Sequence, residues 1–188
     1  VDMVGGPQIR NTGTIGGNIC NGATSADSAA SMWTLNALIQ LEGPEGHREV
    51  PIHEFYTGPG RTVRDRCEVC TGFIIKKEDY EGWYGQYIKY GKRKAMEIAT
   101  LGCAVRVKLG YGVAGPTPLR CHAAEEYLRG KAVSDKEAAA EFAKLALTEV
   151  NPRSSWRASK EFRLQLIEEL AKRGLAEAIR RAGGEEDA

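Results

Sequence analysis

The composition of the chain changes near residue 115, and this change constrains the fold more than any single motif. Before it, glycines are frequent, and short runs rich in β-branched and aromatic residues alternate with turn residues. That pattern is typical of a largely antiparallel sheet. After it, Ala, Glu, Lys and Leu predominate, which favours helices. The sequence therefore predicts an α+β fold, with a sheet-rich first part followed by a smaller domain rich in helices.

The elements of the first part are predicted from the spacing of its apolar residues. Strands are predicted over residues 37–43, 47–52, 71–77, 85–93 and 101–110. One helix is predicted over residues 28–38, capped by Ser25 or Asp27. Its predicted buried face comprises Met32, Leu35 and Leu38.

Three helices are predicted in the second part, over residues 123–128, 135–149 and 159–181. In the last of them, apolar residues follow the three-to-four spacing of a buried helix face. These residues are Phe162, Leu166, Ile167, Leu170 and Leu175. The tail from residue 183 onward is predicted to be frayed.

Charge and hydropathy exclude two classes of protein. Lys and Arg number 26 and Asp and Glu number 25, which argues against a nucleic-acid binder that relies on a broad basic surface. No apolar run approaches the roughly 20 residues of a membrane span. No signal peptide opens the sequence, so we expect a cytoplasmic protein without a membrane partner.

The five cysteines do not predict a metal site or a disulfide framework. Their number is odd and their spacing is irregular. Cys67 and Cys70 form a "CEVC" pair, but no second pair of ligands follows, and a structural zinc normally has four. The simpler interpretation is two thiols on a strand.

The stretch "GTIGGN" at residues 13–18 has two interpretations from its chemistry. Turn statistics favour a glycine turn that joins two strands. Alternatively, the amides of Gly16 and Gly17 approach a nucleotide phosphate, with Thr14 and Asn18 as further donors. Asp27 would then accept hydrogen bonds from sugar-like hydroxyls.

The segment "YIKYGKRKAMEIAT" also has two interpretations. Tyr87 and Lys89 are predicted to share one face of a strand, with Ile88 and Tyr90 on the other. The usual explanation of its basic residues (Lys89, Lys92, Arg93 and Lys94) is a solvated strand edge that discourages pairing. A functional lysine is the less favoured alternative. Since no Ser-His-Asp or Cys-His arrangement is evident, we predict no catalytic side chain and expect a cofactor to supply the chemistry.

Several motifs together resemble one family. "GPQIRNTGTIGGNICNGATSADSA", "KYGKRKAMEIATLGCAV", "GVAGPTPLRC" and "RSSWRASKEFRLQLI" are similar to the flavin subunits of molybdenum hydroxylases. That family includes the FAD-binding subunits of bacterial xanthine dehydrogenases, carbon monoxide dehydrogenase and 4-hydroxybenzoyl-CoA reductase. The resemblance spans nearly the whole chain, so it reverses the preference for a simple glycine turn. It implies an FAD-binding second subdomain over residues 1–112 and a carboxy-terminal domain over residues 113–188.

The resemblance also implies a set of cofactor-binding residues. The family's glycine loop, which contacts the FAD diphosphate, corresponds to residues 14–18, and Glu97 stands where the family has Asp. The family's Glu-Ile-Leu segment, which lies against the flavin, appears as residues 68–70. The implied contacts to FAD are Thr14, Ile15, Gly16, Gly17, Asn18, Asp27, Val69, Cys70 and Lys89.

The function implied by the resemblance is electron transfer. In such a complex, a molybdenum-cofactor subunit acts on the substrate, and [2Fe–2S] clusters of an iron–sulfur subunit pass the electrons to FAD. Reduced flavin then passes hydride to NAD⁺. The alternatives are the flavin subunit of another molybdenum hydroxylase and an assembly module without flavin.

Members of the family begin with a further subdomain whose glycine-rich loop holds the FAD diphosphate from the opposite side. Nothing like it precedes Val1, which is itself not a methionine. We therefore expect the sequence to be a fragment, or to contain only the ordered residues of a longer protein.

Overall fold

The computed structural model describes residues 2–93, 96–106, 108–131 and 135–183. Its helices are α1 (Pro7–Thr12), α2 (Ile15–Cys20), α3 (Ala29–Thr34), α4 (Ile52–Phe55), α5 (His122–Leu128), α6 (Lys136–Ala146) and α7 (Lys160–Arg181). Its strands are β1 (Leu38–Gly43), β2 (Gly46–Pro51), β3 (Tyr56–Gly58), β4 (Arg61–Thr62), β5 (Val69–Ile74), β6 (Gln86–Tyr90), β7 (Leu101–Val105), β8 (Leu109–Gly112) and β9 (Leu119–Arg120). All strand pairings within these residues are antiparallel, and the predicted α+β class is confirmed.

The first hydrophobic core lies on a three-stranded sheet of order β2-β1-β5. Apolar side chains alternate along β1, where Ile39 and Leu41 are fully buried and the residues between them are not. This period of two is expected for a strand with one covered face. Helices α2, α3 and α4 contribute Ile19, Met32 and Ile52 to the same core.

Helix α3 is shorter than the predicted range of residues 28–38. It ends because Asn36 adopts a left-handed conformation, with φ of 48°, which Asn tolerates better than most residues. The N–H of Ala37 then donates to the carbonyl of Met32, the pattern of a Schellman ending. Leu38 consequently begins β1 rather than extending the helix, and Leu35 and Leu38 are only half-buried.

The second core lies on a four-stranded sheet of order β6-β7-β8-β9, against which α5 and α7 pack, with α6 against both helices. The predicted division between residues 112 and 113 would separate β9 from this sheet. The hydrophobic core instead changes between β5 and β6, because β6, β7 and β8 pair with one another and bury side chains against the carboxy-terminal helices.

The range 101–110, predicted as one strand, contains parts of two paired strands, β7 and β8. Leu101–Val105 and Leu109–Gly112 pair antiparallel, with Val105 opposite Leu109. The N–H of Arg106 donates to the carbonyl of Lys108 across the turn, at 2.8 Å. No glycine or proline marks this turn in the sequence, which is why the apolar run reads as continuous.

Large and small residues alternate along this hairpin. Leu101, Cys103, Val105, Leu109 and Tyr111 face the carboxy-terminal helices. The small residues between them face α3 and the loop before it. A Cβ on Gly110 would lie 2.9 Å from the carbonyl oxygen of Ala30, and one on Gly112 would lie 3.1 Å from that of Thr24. We call the β2-β1-β5 sheet with α2, α3 and α4 the first unit, and the β6-β7-β8-β9 sheet with α5, α6 and α7 the second unit. The small residues therefore allow the first unit to pack closely against the sheet of the second.

Asp79 anchors a polar network that joins the two units. Its carboxylate accepts hydrogen bonds from Asn36 at 2.6 Å and from Lys108 at 2.8 Å. Arg106 donates to the Asp79 carbonyl and to the Thr34 carbonyl. The partners come from the α3–β1 turn and the β7–β8 hairpin, so the network fixes α3 against the sheet.

The predicted carboxy-terminal helices are confirmed, and two of them begin at a capping side chain. Asp135 and Ser159 accept hydrogen bonds from the N–H groups of Ala138 and Phe162, respectively. On α7, Leu166, Ile167, Leu170 and Leu175 are buried as predicted.

The prediction for Phe162 is wrong. Its side chain is exposed and contacts the ring of Tyr90, with the ring centroids 5.8 Å apart. Arg163 is buried instead, and its guanidinium donates to the Arg153 carbonyl and to Ser155 Oγ. These acceptors in the preceding segment explain how a charged residue occupies the buried face.

Some sequence features fall outside the described residues, namely Lys94 and the predicted frayed tail beyond Gly183. In the part of the chain that is described, no helix has the length and apolar character needed to cross a membrane.

We expect Gly174→Ala to destabilise the protein, although alanine is the better helix former. A Cβ at this position of α7 would lie 2.6 Å from Val105 Cγ2 on β7. The overpacking exceeds the propensity gain and leaves a net loss of about 1–2 kcal/mol in the free energy of unfolding. Urea denaturation measures this loss.

The control is the double variant Gly174→Ala with Val105→Ala, compared with each single variant. Removing the two Val105 methyl groups makes room for the new Cβ, so the double variant should be more stable than the sum of the two single losses predicts. Additive losses would contradict the proposed contact.

Candidate functional site: a glycine-rich helix start beside a buried ion pair

Gly16 and Gly17 lie in the first turn of helix α2. The prediction of a turn that joins two strands is therefore wrong, since α1 precedes the motif and α2 contains it. Thr14 caps α2, and its Oγ1 accepts a hydrogen bond from the N–H of Gly17 at 2.9 Å. Helices α1 and α2 were missed because each has only six residues, too few for a hydrophobic period to show.

The start of α2 presents free backbone donors to solvent. Within the described residues, the N–H groups of Ile15 and Gly16 have no acceptor, as expected for the first turn of a helix. Thr14, Ile15 and Gly17 are exposed and Gly16 is half-buried. A negatively charged group can therefore reach these amides.

Asn18 connects the start of α2 to the start of α3. Its Oδ1 accepts from Ser28 Oγ at 2.6 Å and from the Ser28 N–H at 3.2 Å. Both contacts use the oxygen, so the Asn18 side-chain NH₂ remains able to donate. Since Asp27 immediately precedes Ser28, this link places Asp27 beside the glycine motif.

Asp27 is not the cap of α3 that the sequence predicts. Its Oδ2 accepts from Lys89 Nζ at 2.8 Å, and its Oδ1 accepts from the Tyr87 hydroxyl at 3.1 Å. Helix α3 has Ser28 at its N-cap without a side-chain hydrogen bond. Burial raises the pKa of Tyr87, and the Asp27 carboxylate raises it further, so the phenol stays protonated.

Lys89 is not the solvated edge residue that its strand suggests. Its side chain is 6% exposed and that of Asp27 is 10% exposed. A second bond runs from Lys89 Nζ to the Met3 carbonyl at 2.9 Å. The predicted strand faces are confirmed: Tyr87 and Lys89 point to Asp27, whereas Ile88 packs on the second core.

Val69 and Cys70 open strand β5 next to α2. Val69 is 64% exposed, which leaves its side chain available to a ligand. Cys70 is half-buried, and its Sγ lies 3.8 Å from the position that a Cβ on Gly16 would occupy. Thus the structure brings this strand start and the glycine motif together.

Glu68 anchors the same strand start. Arg48 donates to Oε1 at 2.5 Å and to Oε2 at 2.8 Å, and the Asp65 N–H donates to Oε2 at 2.7 Å. The hydrogen bond from Arg48, followed by that from Asp65, lowers the pKa of Glu68 to about 2. The carboxylate is therefore charged at neutral pH and holds the 65–68 turn against β2.

Lys89 also lines a cleft of about 280 Å³. Arg10, Arg93 and Lys89 contribute positive charge to its walls, and Glu97 contributes negative charge. The Arg93 N–H donates to the Glu97 carboxylate, which lowers the pKa of Glu97. Glu97 therefore holds the turn that follows β6.

Three contributors to the site were missed by sequence reasoning. Ser28, Tyr87 and Arg48 position Asn18, Asp27 and Glu68, respectively. For Tyr87 a signal existed, namely its place on the same strand face as Lys89. Partners distant in sequence, such as Arg48 and Glu68, leave no local pattern. Among the described residues, no group of three or more His, Cys, Asp or Glu side chains could hold a metal ion.

We expect Lys89→Met to lower the free energy of unfolding of the flavin-free protein by about 3 kcal/mol, since it leaves a largely buried carboxylate without its cation. The control is Lys77→Met, which removes an exposed pair with Glu81 and should cost less than about 1 kcal/mol. Urea denaturation measures both. Equal losses for the two variants would contradict the burial of the Asp27–Lys89 pair.

Glu68 should make stability depend on pH in the acid range. Because its folded pKa lies near 2 and its ordinary pKa is 4.5, its contribution is complete above 4.5 and is lost as the pH falls towards 2. The gap in unfolding free energy between the wild type and Glu68→Gln should therefore be constant near neutral pH and shrink within this window. A gap that does not change with pH would refute the assignment.

Two protein-family models match this chain. Residues 1–76 match the FAD binding domain in molybdopterin dehydrogenase, and residues 86–178 match the CO dehydrogenase flavoprotein C-terminal domain. The first matched range ends just after β5 and the second begins at β6, so the hydrophobic core changes at the boundary between them.

Similar proteins extend these matches. A putative xanthine dehydrogenase FAD-binding subunit of Escherichia coli (strain K12) is 42% identical over 96% of this chain and 65% of its own length. The carbon monoxide dehydrogenase medium chain of Hydrogenophaga pseudoflava is 30% identical over 92% of this chain and 63% of its own length. Thus the chain spans about two thirds of the length of these relatives.

A solved carbon monoxide dehydrogenase from Hydrogenophaga pseudoflava that lacks the Mo-pyranopterin moiety of its cofactor superimposes with a TM-score of 0.88. Its sequence is 32% identical, and the match covers 96% of this chain and 65% of that chain. By sequence and by structure, this chain belongs to the family of molybdenum hydroxylase flavin subunits.

Proposed function

We propose that the protein binds FAD and serves as the electron-transfer subunit of a molybdenum hydroxylase, most similar to xanthine dehydrogenase. The observation that carries the proposal is the convergence of the motif residues in one place. The start of α2 lies against Cys70 of β5, Asn18 bonds to Ser28 beside Asp27, and Asp27 pairs with Lys89. Their residue types also fit a dinucleotide.

The start of α2 fits a diphosphate. The free N–H groups of Ile15 and Gly16 point out of the helix start, and the helix dipole adds positive potential there. The glycines leave the backbone uncovered, so phosphate oxygens can approach. The Asn18 NH₂ supplies a further donor.

Asp27 and Lys89 fit the polar middle of the cofactor. A carboxylate has about four acceptor sites and an ammonium has three donors, so each retains capacity beyond the contacts described above. Asp27 would accept from hydroxyl groups, and Lys89 would donate to an electronegative atom. Tyr87 holds the carboxylate in place for this role.

Val69 and Cys70 would provide an apolar contact for the flavin ring. Val69 is exposed, and Cys70 can act as a small hydrophobe. FAD, when bound, supplies the two-electron carrier. The protein's own task would be to bind the cofactor, orient it and exclude water, without an acid–base side chain.

We also propose the partner subunits of this protein and the acceptor of the electrons from FAD. Electrons would come from [2Fe–2S] clusters and a molybdenum cofactor in partner subunits, and NAD⁺ would accept hydride. Support comes from the relatives, which are named as subunits and medium chains of dehydrogenases. The substrate would be chosen in the molybdenum subunit, so another molybdenum hydroxylase remains the alternative.

A visible spectrum of the protein, purified with any subunits that accompany it, tests the proposal. Oxidised-flavin absorbance that NADH bleaches is the expected result. A protein without flavin absorbance, unable to take up added FAD, would favour an assembly module. Bound flavin that xanthine or an aldehyde reduces, but NADH does not, would refute NAD⁺ as the acceptor.

Gly17→Val and Asp27→Ala should both lower the amount of FAD per folded protein. The valine would crowd the capping contact, since a Cβ on Gly17 lies 3.2 Å from Thr14 Oγ1, and would cover backbone that faces phosphate. The alanine removes the acceptor for hydroxyl groups. Flavin absorbance per protein, measured on the folded fraction, gives the occupancy.

Gly58→Val is the matched control, because a Cβ at this glycine of β3 would meet no atom within 4 Å. It should retain the FAD content of the wild type. Full occupancy in both site variants would show that the assignment of this loop is wrong.

A further inference from the structure

Two cysteines pack between helix α2 and strand β5. Cys70 Sγ on β5 packs against the helix at Gly16. Cys20 lies four residues after Gly16, and residues at this spacing share one face of a helix. Both side chains are half-buried, and both thiols are free. The helix face that Cys70 contacts therefore also carries Cys20.

The electrostatics of Cys20 agree with this contact. Burial first, and then the neighbouring Cys70 thiol, raise the pKa of Cys20 to about 11. Arg64 acts in the opposite direction. Both side chains also pack against the same hydrophobic core, the one that lies on the β2-β1-β5 sheet.

We propose that Cys20 and Cys70 form a reversible dithiol–disulfide pair that controls the FAD cradle. The oxidant would be a small-molecule disulfide. One cysteine thiolate attacks it, forms a mixed disulfide and releases one small thiol. The other cysteine then attacks the protein sulfur of that mixed disulfide and releases the second thiol. Two protein thiols are oxidised, one small disulfide is reduced, and both protons leave with the released thiols.

The pair differs from a structural disulfide in its position. It connects α2, which carries the free amides of Ile15 and Gly16, to β5, which begins with Val69. Bonded sulfur atoms lie about 2.05 Å apart, closer than any non-bonded sulfur contact. Closing the bond therefore draws α2 towards β5 and moves the amides relative to the diphosphate. This consequence rests on the proposed binding of FAD.

Cys67 is the competing partner. It is exposed and lies three residues before Cys70 in the "CEVC" segment. Its backbone N–H donates to Asp65 Oδ1, which holds it in the turn before β5. A Cys67–Cys70 disulfide would not connect β5 to α2, so it would not move the backbone amides of Ile15 and Gly16. The test must therefore separate Cys67 from Cys20.

The first experiment maps the bond in a Cys67→Ser variant of the purified protein. The reduced protein is treated with oxidised glutathione, the remaining thiols are alkylated, and the unreduced tryptic digest is examined by mass spectrometry. Cys20 and Cys70 fall on different tryptic peptides, residues 11–48 and 67–76. The expected result is a link between these peptides that dithiothreitol reverses.

Controls are Cys20→Ser and Cys70→Ser, in which the link must disappear. Glutathione adducts without a link in the Cys67→Ser variant would overturn the proposal. A wild-type protein in which Cys67 and Cys70 are joined to each other, with Cys20 alkylated, would overturn it as well.

The second experiment compares FAD binding by the reduced and oxidised Cys67→Ser protein. Weakening of one hydrogen bond to the charged diphosphate corresponds to a roughly tenfold rise in the dissociation constant. Dithiothreitol should restore the reduced value, and Cys20→Ser should show no change with glutathione. An unchanged dissociation constant after complete linkage would refute control of the cradle.

The two experiments fail separately. If the reduced protein takes up no FAD, the proposed function fails, while the peptide map still reports whether the bond forms. If FAD binds but no link forms, the dithiol proposal alone fails.

Discussion

The ion pair between Asp27 and Lys89 is the interaction on which the geometry of the site depends. Asp27 belongs to the first unit, just before α3, and Lys89 belongs to β6 of the second. Both side chains are largely buried, at 6% and 10% exposure, so each charge is mostly desolvated. Desolvation makes such a pair costly to break, since either group alone would remain as an uncompensated charge. The pair therefore fixes the first unit against the sheet of the second.

Steric fit and polar contacts reinforce this connection. The small residues of the β7–β8 hairpin admit α3 and the loop before it, and the Asp79 network fixes the α3–β1 turn. On one side, the steric contacts and the Asp79–Asn36 bond involve residues 24–36, which are close to Asp27 in sequence. The glycine motif is in turn attached to the same segment through Asn18 and Ser28. Packing and electrostatics thus act on one segment, residues 24–36.

Long regular elements could be predicted from the sequence, because their signals are local. Helices α6 and α7 have capping residues at their first turns and long amphipathic stretches. The end of α3 was missed because one residue, Asn36, leaves the helical region in response to contacts with Asp79 and Arg120. The break between β7 and β8 was missed because no glycine or proline marks it. Tertiary contacts such as those of Asn36 leave no periodic signal.

For the candidate site, residue chemistry alone favoured a turn between two strands, whereas the glycine motif lies in the first turn of α2. Family resemblance suggested the proposed ligand, and the structure showed how distant residues meet. The burial of Lys89 could not be foreseen, since a lysine on an edge strand is usually solvated. The position of Cys70 against α2 depends on the pairing of β5 with β1, which brings two segments fifty residues apart into contact.

Gly110 illustrates how far the requirements of this site extend. It contacts none of the proposed ligand-binding residues, yet any side chain there would press on the Ala30 carbonyl and lift α3 from the sheet. Asp27 would move with α3, away from Lys89. An engineer who transplants this cofactor cradle into another scaffold must therefore transfer strand β8 along with the glycine motif. The smallest segment set that can be transferred must include the surface of the sheet against which α3 packs, in addition to the residues that would contact the ligand.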